Sequence, residues 1–312
     1  MIKKIVILIT ILLANFGFTQ ENTASPYSFY GLGSTRFKGT NDFVNMGGIS
    51  VYSDSTHINV LNPASYSNQL ITTFQVGMTS SFYNLNTASA SEKAKKTTFD
   101  YVVMGFPISK KVGVSLGLLP HSAVGYRLKS DTRSVDGFTK QYQGKGGVNK
   151  VSLGAGYKLS PKISLGMDFQ YLFGILNTQS DVFNQNVISG SREVNESTVS
   201  GIAINTGLNF KTKFNSKLDF FSSVTYAPEA KLNSINTRNV SKISALANGT
   251  IIPASADTEV NVADSKLIVP SKLVLGAGLG NRKWFLGGDV AFSGSGNQVN
   301  RFENYSNVSY EN

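Results

Sequence analysis

The sequence predicts an all-β fold, a transmembrane antiparallel β-barrel, and three observations carry that reading. Stretches of about ten residues alternate apolar with polar side chains, as a strand does when one face meets lipid. Short lysine-bearing links at residues 107–111, 158–162, 211–217 and 280–283 take turns with long polar loops at about 84–97, 127–146, 177–197, 227–268 and 293–301. An export segment precedes them, and no later stretch is apolar over the roughly 20 residues a membrane helix needs. A closed barrel is the other way to satisfy every backbone group in lipid.

Residues 1–20 open with Lys3 and Lys4, run apolar over 5–14 and end in Gly17, Thr19 and Gln20. That is the layout of a secretory signal peptide cleaved near Gln20, since the apolar run is too short for an anchor helix. Short turns belong at the periplasmic rim of an outer-membrane barrel and long loops outside. The expected location is therefore the outer membrane of a Gram-negative bacterium.

The barrel proper is expected over residues 70–312, beginning with a strand at 70–83. There Phe74, Val76, Met78 and Phe82 share one face and Thr73, Gln75, Thr79 and Ser81 the other. In the second segment, 98–106, Tyr101 and Val103 alternate with Val102, Met104 and Phe106, so both faces are apolar. Val102, Met104 and Phe106, with Leu119 of the third segment, are the candidate lumen and ligand residues. The third segment, 112–126, is interrupted by Pro120, which lacks a backbone donor and predicts a bulge or kink.

Segment four, 147–157, places Val151, Leu153, Ala155 and Tyr157 on one face. Segment five, from 163, is the most regular: Leu165, Met167, Phe169 and Tyr171 point outward, and Ser164, Gly166, Asp168 and Gln170 inward. Segments follow at 198–210, 218–226, 272–279 and 284–292, with a weak tenth at 302–310. Tyr157, Phe210, Tyr226, Trp284 and Phe292 suit an interfacial aromatic girdle. A soluble β-sandwich also alternates, but the export segment, the alternating link lengths and strands near the 9 to 11 residues of a tilted crossing favour the barrel.

Residues 21–69 break the rhythm. They are rich in Gly, Ser and Asn, including Gly31, Gly33, Gly39, Gly47 and Gly48, and a plug or hatch folded within the lumen would use them.

Cysteine is absent, which excludes a disulfide framework, a thiolate metal site, a cysteine nucleophile and a lipid-anchor cysteine in this sequence. Without Lys3 and Lys4 the 29 basic residues become 27 against 19 acidic ones, a formal charge of +8. The lysines sit at turns (Lys110, Lys111, Lys158, Lys162, Lys211, Lys213, Lys217) and in loops, with no aromatic-interleaved patch for nucleic acid. Outer-membrane lipid and lipopolysaccharide are the expected neighbours of those rims.

Catalysis is not expected. His57 and His121 are the only histidines, and His121 and Ser122, adjacent on a strand, point to opposite faces. Gly276-Ala277-Gly278 and Gly154-Ala155-Gly156 precede neither a helix pattern nor Gly-Lys-Ser/Thr, so no nucleotide loop is read. No cofactor or metal ligand set is visible.

Asp54-Ser55-Thr56 followed by Asn62-Pro63-Ala64 resembles the hatch signature of the FadL family of outer-membrane transporters for long-chain fatty acids and other hydrophobic compounds. Pro270-Ser271-Lys272-Leu273 leading to Gly276 is similar to a strand opening of that family. Ser25-Pro26-Tyr27-Ser28 with Tyr30-Gly31-Leu32-Gly33 resembles the mature N-terminus of its Bacteroidota members. The resemblance implies a barrel of about 14 strands, an N-terminal hatch, an apolar pocket and a kink in the third strand, to which Pro120 corresponds. It further implies passive uptake of a hydrophobic solute. The alternative is a structural or secretion-associated barrel that binds protein partners, because FadL-like barrels also include a secretion-system shuttle. Nine clear segments, one weak one and an end at Glu311-Asn312 fall short of such a barrel, so C-terminal strands are expected to be missing.

Overall fold

Alternation with a period of two becomes one antiparallel sheet in the computed structural model, which describes residue 28 and residues 31–35, 39–86, 91–130, 138–184, 189–245, 250–281 and 283–294. Its strands are β1 (Ser34–Thr35), β2 (Thr73–Asn86), β3 (Ser91–Pro107), β4 (Val112–Ser130), β5 (Phe138–Lys158), β6 (Ile163–Asn184) and β7 (Ser189–Lys213). They continue with β8 (Asp219–Ala227), β9 (Ala230–Ala245), β10 (Ile251–Pro253), β11 (Thr258–Val260), β12 (Ser265–Val269), β13 (Lys272–Gly280) and β14 (Phe285–Ser293). The hydrogen-bonded order is β14-β13-β8-β7-β6-β5-β4-β3-β2. A four-residue helix, α1 (Asn41–Val44), and a 3-10 helix at Pro63–Asn68 precede β2. No helix among the described residues is long and apolar enough to cross a membrane, which says nothing of crossing by strands.

One face of the sheet is apolar and exposed; the other is covered and mixes polar side chains with apolar ones such as Val148, Leu172 and Leu176. On β6, Leu165, Met167, Phe169 and Tyr171 are exposed while Ser164 and Asp168 are buried. The same holds for Phe74, Val76 and Met78 on β2, Val151 and Leu153 on β5, and Leu286, Val290 and Phe292 on β14. A water-soluble sheet would present the reverse arrangement.

Four short turns are built alike. Ser109 Oγ accepts from the backbone N–H of Lys111 (3.2 Å) and Val112 (3.1 Å), and Ser160 Oγ from Lys162 (3.2 Å) and Ile163 (3.1 Å). Asn215 Oδ1 accepts from Lys217 and Leu218 (both 2.8 Å), and Asn281 Oδ1 from Lys283 (2.8 Å) and Trp284 (3.1 Å). Each turn thus uses a Ser or Asn side chain to hold two backbone donors. A lysine sits two residues further on each time.

The other end differs from the expectation. Residues assigned to loops at 127–146 and 177–197 largely continue β4 to β7, and 227–268 holds β9 to β12. The apolar alternation stops there because both faces carry polar residues, whereas the ladders run on: Tyr142 pairs with Ser180 and Arg192 with Asp181. β7 serves two partners, with residues 206–213 on β8 and 189–200 on β9. β8 and β9 are separated at Pro228, and β12 and β13 at Pro270, with Ala227 opposite Lys272 and Ala230 opposite Val269. Two prolines side by side remove donors from both strands at one level. The sheet therefore counts 14 strands where ten were read, and the tenth expected segment, 302–310, lies outside the described residues.

Candidate functional site

Residues 39–69 pack across the polar faces of the strands, and local chemistry sets their shape. Asn62 caps the 3-10 helix by accepting from Ala64 N–H at 3.0 Å, with Pro63 at the first helical position, where its missing donor costs nothing. The Asn62 carboxamide also reaches the sheet, donating to Asn209 Oδ1 at 2.6 Å on β7. Gly113, Gly156, Gly166 and Gly207, one each from β4, β5, β6 and β7, make room for this helix. A Cβ on any of them would overlap Tyr66, Ser67, Pro63 or Asn62.

Tyr66, in the middle of the helix, is buried and its hydroxyl donates to Asp168 Oδ2 at 3.2 Å. Burial, with the Asp168 carboxylate beside it, pushes the phenol well above its ordinary value, so it remains a donor. Ile58, Val60 and Tyr66 pack with Tyr101, Val103 and Leu119. Further along, Ile49 and Val51 pack with Phe221, and Tyr52 lies against Phe285 of β14 at 4.9 Å between ring centroids.

The segment reaches both ends of the strand order. Gln75 of β2 donates to Asp42 at 2.8 Å, and the Asn41 backbone N–H to the Tyr101 hydroxyl of β3 at 2.8 Å. The Ser50 N–H donates to Asp289 of β14, and Ser50 Oγ meets Ser223 Oγ of β8 at 3.2 Å.

An earlier stretch is fixed to β4. β1 pairs with Ser122 and Ala123, Ser122 Oγ donates to the Leu32 carbonyl at 2.6 Å, and Gly125 N–H donates to Ser28 Oγ at 3.1 Å. β5 holds the other edge of β4 at this level, so β1 lies where β3 lies lower down. The β3 ladder on β4 covers only Val102 to Pro107. Gly33, at φ +90°, is required here, because a Cβ would overlap the Ala123 carbonyl. Leu32 completes an apolar cluster with Val124, Tyr126, Val148, Leu172 and Leu176.

Asp54 closes a loop at the short-turn end, accepting from the N–H groups of Thr56 (2.9 Å) and His57 (2.7 Å) and meeting His57 Nδ1 at 2.5 Å. Burial works to raise the Asp54 carboxyl, but the His57 ring and these N–H groups outweigh it and hold the pKa below the ordinary value. For His57 the Asp54 hydrogen bond is the larger influence and raises the imidazole against partial burial.

The residues singled out from sequence are thus distributed. Asp54, Asn62, Pro63 and Ala64 shape the segment, and Ser55 contributes its carbonyl, which accepts from Leu70 N–H at 3.0 Å. Only Asn62 among them bonds directly to the sheet in the described contacts. Val102, Met104 and Phe106 are half-buried and share a face with the exposed Val76 and Leu118. With both faces of β3 apolar, the alternation does not choose the inner one. Leu119 is on the other face, already packed against Ile58, Val60 and Tyr66. The register of β4 on β5 shifts between Pro120 and Ser122. Among the described residues no group of three or more His, Cys, Asp or Glu is placed to hold a metal ion. The pairings Gln75 with Asp42 and Ser50 with Asp289 carried no sequence signal. The glycines facing the 3-10 helix did, as small residues repeated on the polar faces.

The chain is thus an all-β protein: one large antiparallel sheet with an apolar exposed face and a long N-terminal segment lying on its covered face. Residues 1–312 match the model of the BamG family, and the chain belongs to that family, whose name implies association with the outer membrane of Gram-negative bacteria. No curated protein matches the chain. The family match overturns the expectation of a FadL-like lipid transporter: its name points to the outer-membrane barrel-assembly (BAM) complex and not to fatty-acid uptake. The match bears on function only and leaves the likeness of Asp54-Ser55-Thr56 and Asn62-Pro63-Ala64 to a hatch signature as it was.

Proposed function

We propose that the sheet closes into an outer-membrane barrel around residues 39–69, which act as a hatch, and that the protein works by binding partners in outer-membrane protein assembly. One observation carries the barrel. Asp42 contacts β2 and Ser50 contacts β14, strands at opposite ends of the hydrogen-bonded order. In a flat sheet eight strand spacings would separate them by about 38 Å. Eight residues of chain reach at most about 29 Å, less where α1 shortens them. Strong curvature relieves the conflict.

The exposed apolar face then meets lipid, and the polar face meets the hatch. A barrel so filled has little use as a conduit, and its rims are the surfaces left for partners. The reading assigns it no catalytic step and no cofactor. The test is affinity purification of the full-length protein from native outer membranes after mild cross-linking. Components of the assembly machinery in stoichiometric amounts are expected; recovery of the barrel alone would overturn the reading.

A further inference from the structure

The short-turn end carries a groove that no contact described above occupies. One cavity of about 390 Å³ lies between Asp42, Met46, Tyr52 and His57 on one side and Lys283 and Trp284 on the other. A second, of about 470 Å³, runs from Tyr52 and Asp54 past Asn68 to Lys158, Lys162 and Lys211. Both are lined by Tyr52, Asp54 and Asn281, so they lie side by side along the rim.

Its charges are unevenly committed. Asp42 accepts from the neutral Gln75 amide and lies 3.9 Å from His57 Nε2, Asp54 is bonded to His57, and Asp219 pairs with Lys211 at 3.3 Å. Lys211 also lies over the Phe221 ring at 4.8 Å. Lys158, Lys162 and Lys283 make no ion pair with a described carboxylate. Two of them, Lys162 and Lys283, are set by the Ser160 and Asn281 turns, whose side chains bond the lysine's own backbone N–H. Trp284, next to Lys283, is half-exposed at the groove mouth.

We infer that this groove docks an acidic polypeptide segment bearing an aromatic side chain, supplied by a partner protein. The inference rests on the partner-binding reading and names the chemistry of one partner. Three ammonium groups that form no ion pair with the Asp42, Asp54 or Asp219 carboxylates beside them match a run of carboxylates, and Tyr52, Trp284 and Phe285 offer an apolar anchor point. A bilayer headgroup is the lesser fit. One wall of the groove is built from residues 42–68, which lie on the face of the sheet away from the exposed apolar band.

The test uses the full-length protein in detergent and a fluorescein-labelled peptide of glutamates around one phenylalanine, followed by fluorescence anisotropy. Saturable binding that weakens steeply with salt is expected. The triple variant Lys158→Ser, Lys162→Ser, Lys283→Ser should lose about tenfold in affinity, whereas Lys93→Ser with Lys95→Ser, on β3 at the other end, should not. Unchanged heat-modifiable migration shows that the variants fold, and the salt dependence of the unaltered protein provides a readout free of that concern. Equal affinity in the triple variant, no binding to the unaltered protein, or displacement of the peptide by phosphatidylglycerol vesicles would overturn the inference. Should the triple variant still co-purify with assembly partners at unaltered stoichiometry, the groove is not their dock, while the partner-binding reading stands.

Discussion

Asn62 does two jobs at once, capping the 3-10 helix through Oδ1 and bonding Asn209 of β7 through Nδ2. Asn62→Ala should therefore cost about 2 to 4 kcal/mol, a lost cap plus the buried Asn209 Oδ1 acceptor left open. Thermal unfolding followed by heat-modifiable migration would measure it, and Asn68→Ala, whose side chain bonds only Ser53, is the milder control. The Asp54–His57 pair gives a pH signature. Asp54 has a lowered pKa, so its stabilisation holds above its ordinary 3.8 and fades as pH falls through the lowered value. His57 has a raised pKa, so its stabilisation is complete below its ordinary 6.5 and fades as pH rises through the raised value. The loop should be tightest between those limits. NMR titration of the His57 ring should show a midpoint above 6.5 that returns towards it in Asp54→Asn; an unshifted midpoint in the unaltered protein would refute the pairing.

At the scale of elements, the glycines facing the 3-10 helix decide whether residues 39–69 can lie against β4 to β7. Gly166 meets the backbone of Pro63 and Ala64, which cannot swing aside as a side chain tip can. Gly166→Val should expose the segment, read as protease cleavage within residues 39–69 while the strands stay intact. Strands with one apolar, exposed side were legible in sequence, since β6 alternates Leu165, Met167, Phe169 and Tyr171 with Ser164 and Asp168. The upper halves of β5 to β7 were not, because polar residues on both faces erase the period although backbone pairing continues. β9, with Asn233, Ser234, Asn236 and Thr237, was lost in a loop for the same reason. Asn62-Pro63 starts the 3-10 helix through local chemistry, a side-chain cap and a proline at the first helical position. Its anchor Asn209 lies 147 residues away, and periodicity holds no record of such a pairing.

For the molecule as a whole, the inverted sheet and the segment that touches both ends of its strand order are what the proposed barrel rests on: an exposed apolar face on one side and a covered face on the other. The chain belongs to the BamG family, and under the proposed function the two rims are the surfaces open to other proteins. Long paired strands such as the 22 residues of β6 extend about 70 Å of chain. Even at a 45° tilt that exceeds the apolar band of about 25 Å. The far rim is thus a structured surface, held in part by Arg192 on Asp181 at 2.8 Å and Arg238 near Glu193 at 3.2 Å. The most direct measurement of a role in barrel assembly is controlled depletion of this protein in its native cell, with other outer-membrane barrels followed by heat-modifiable migration. Accumulation of their unfolded forms is predicted; normal folding of those barrels after complete depletion would contradict it.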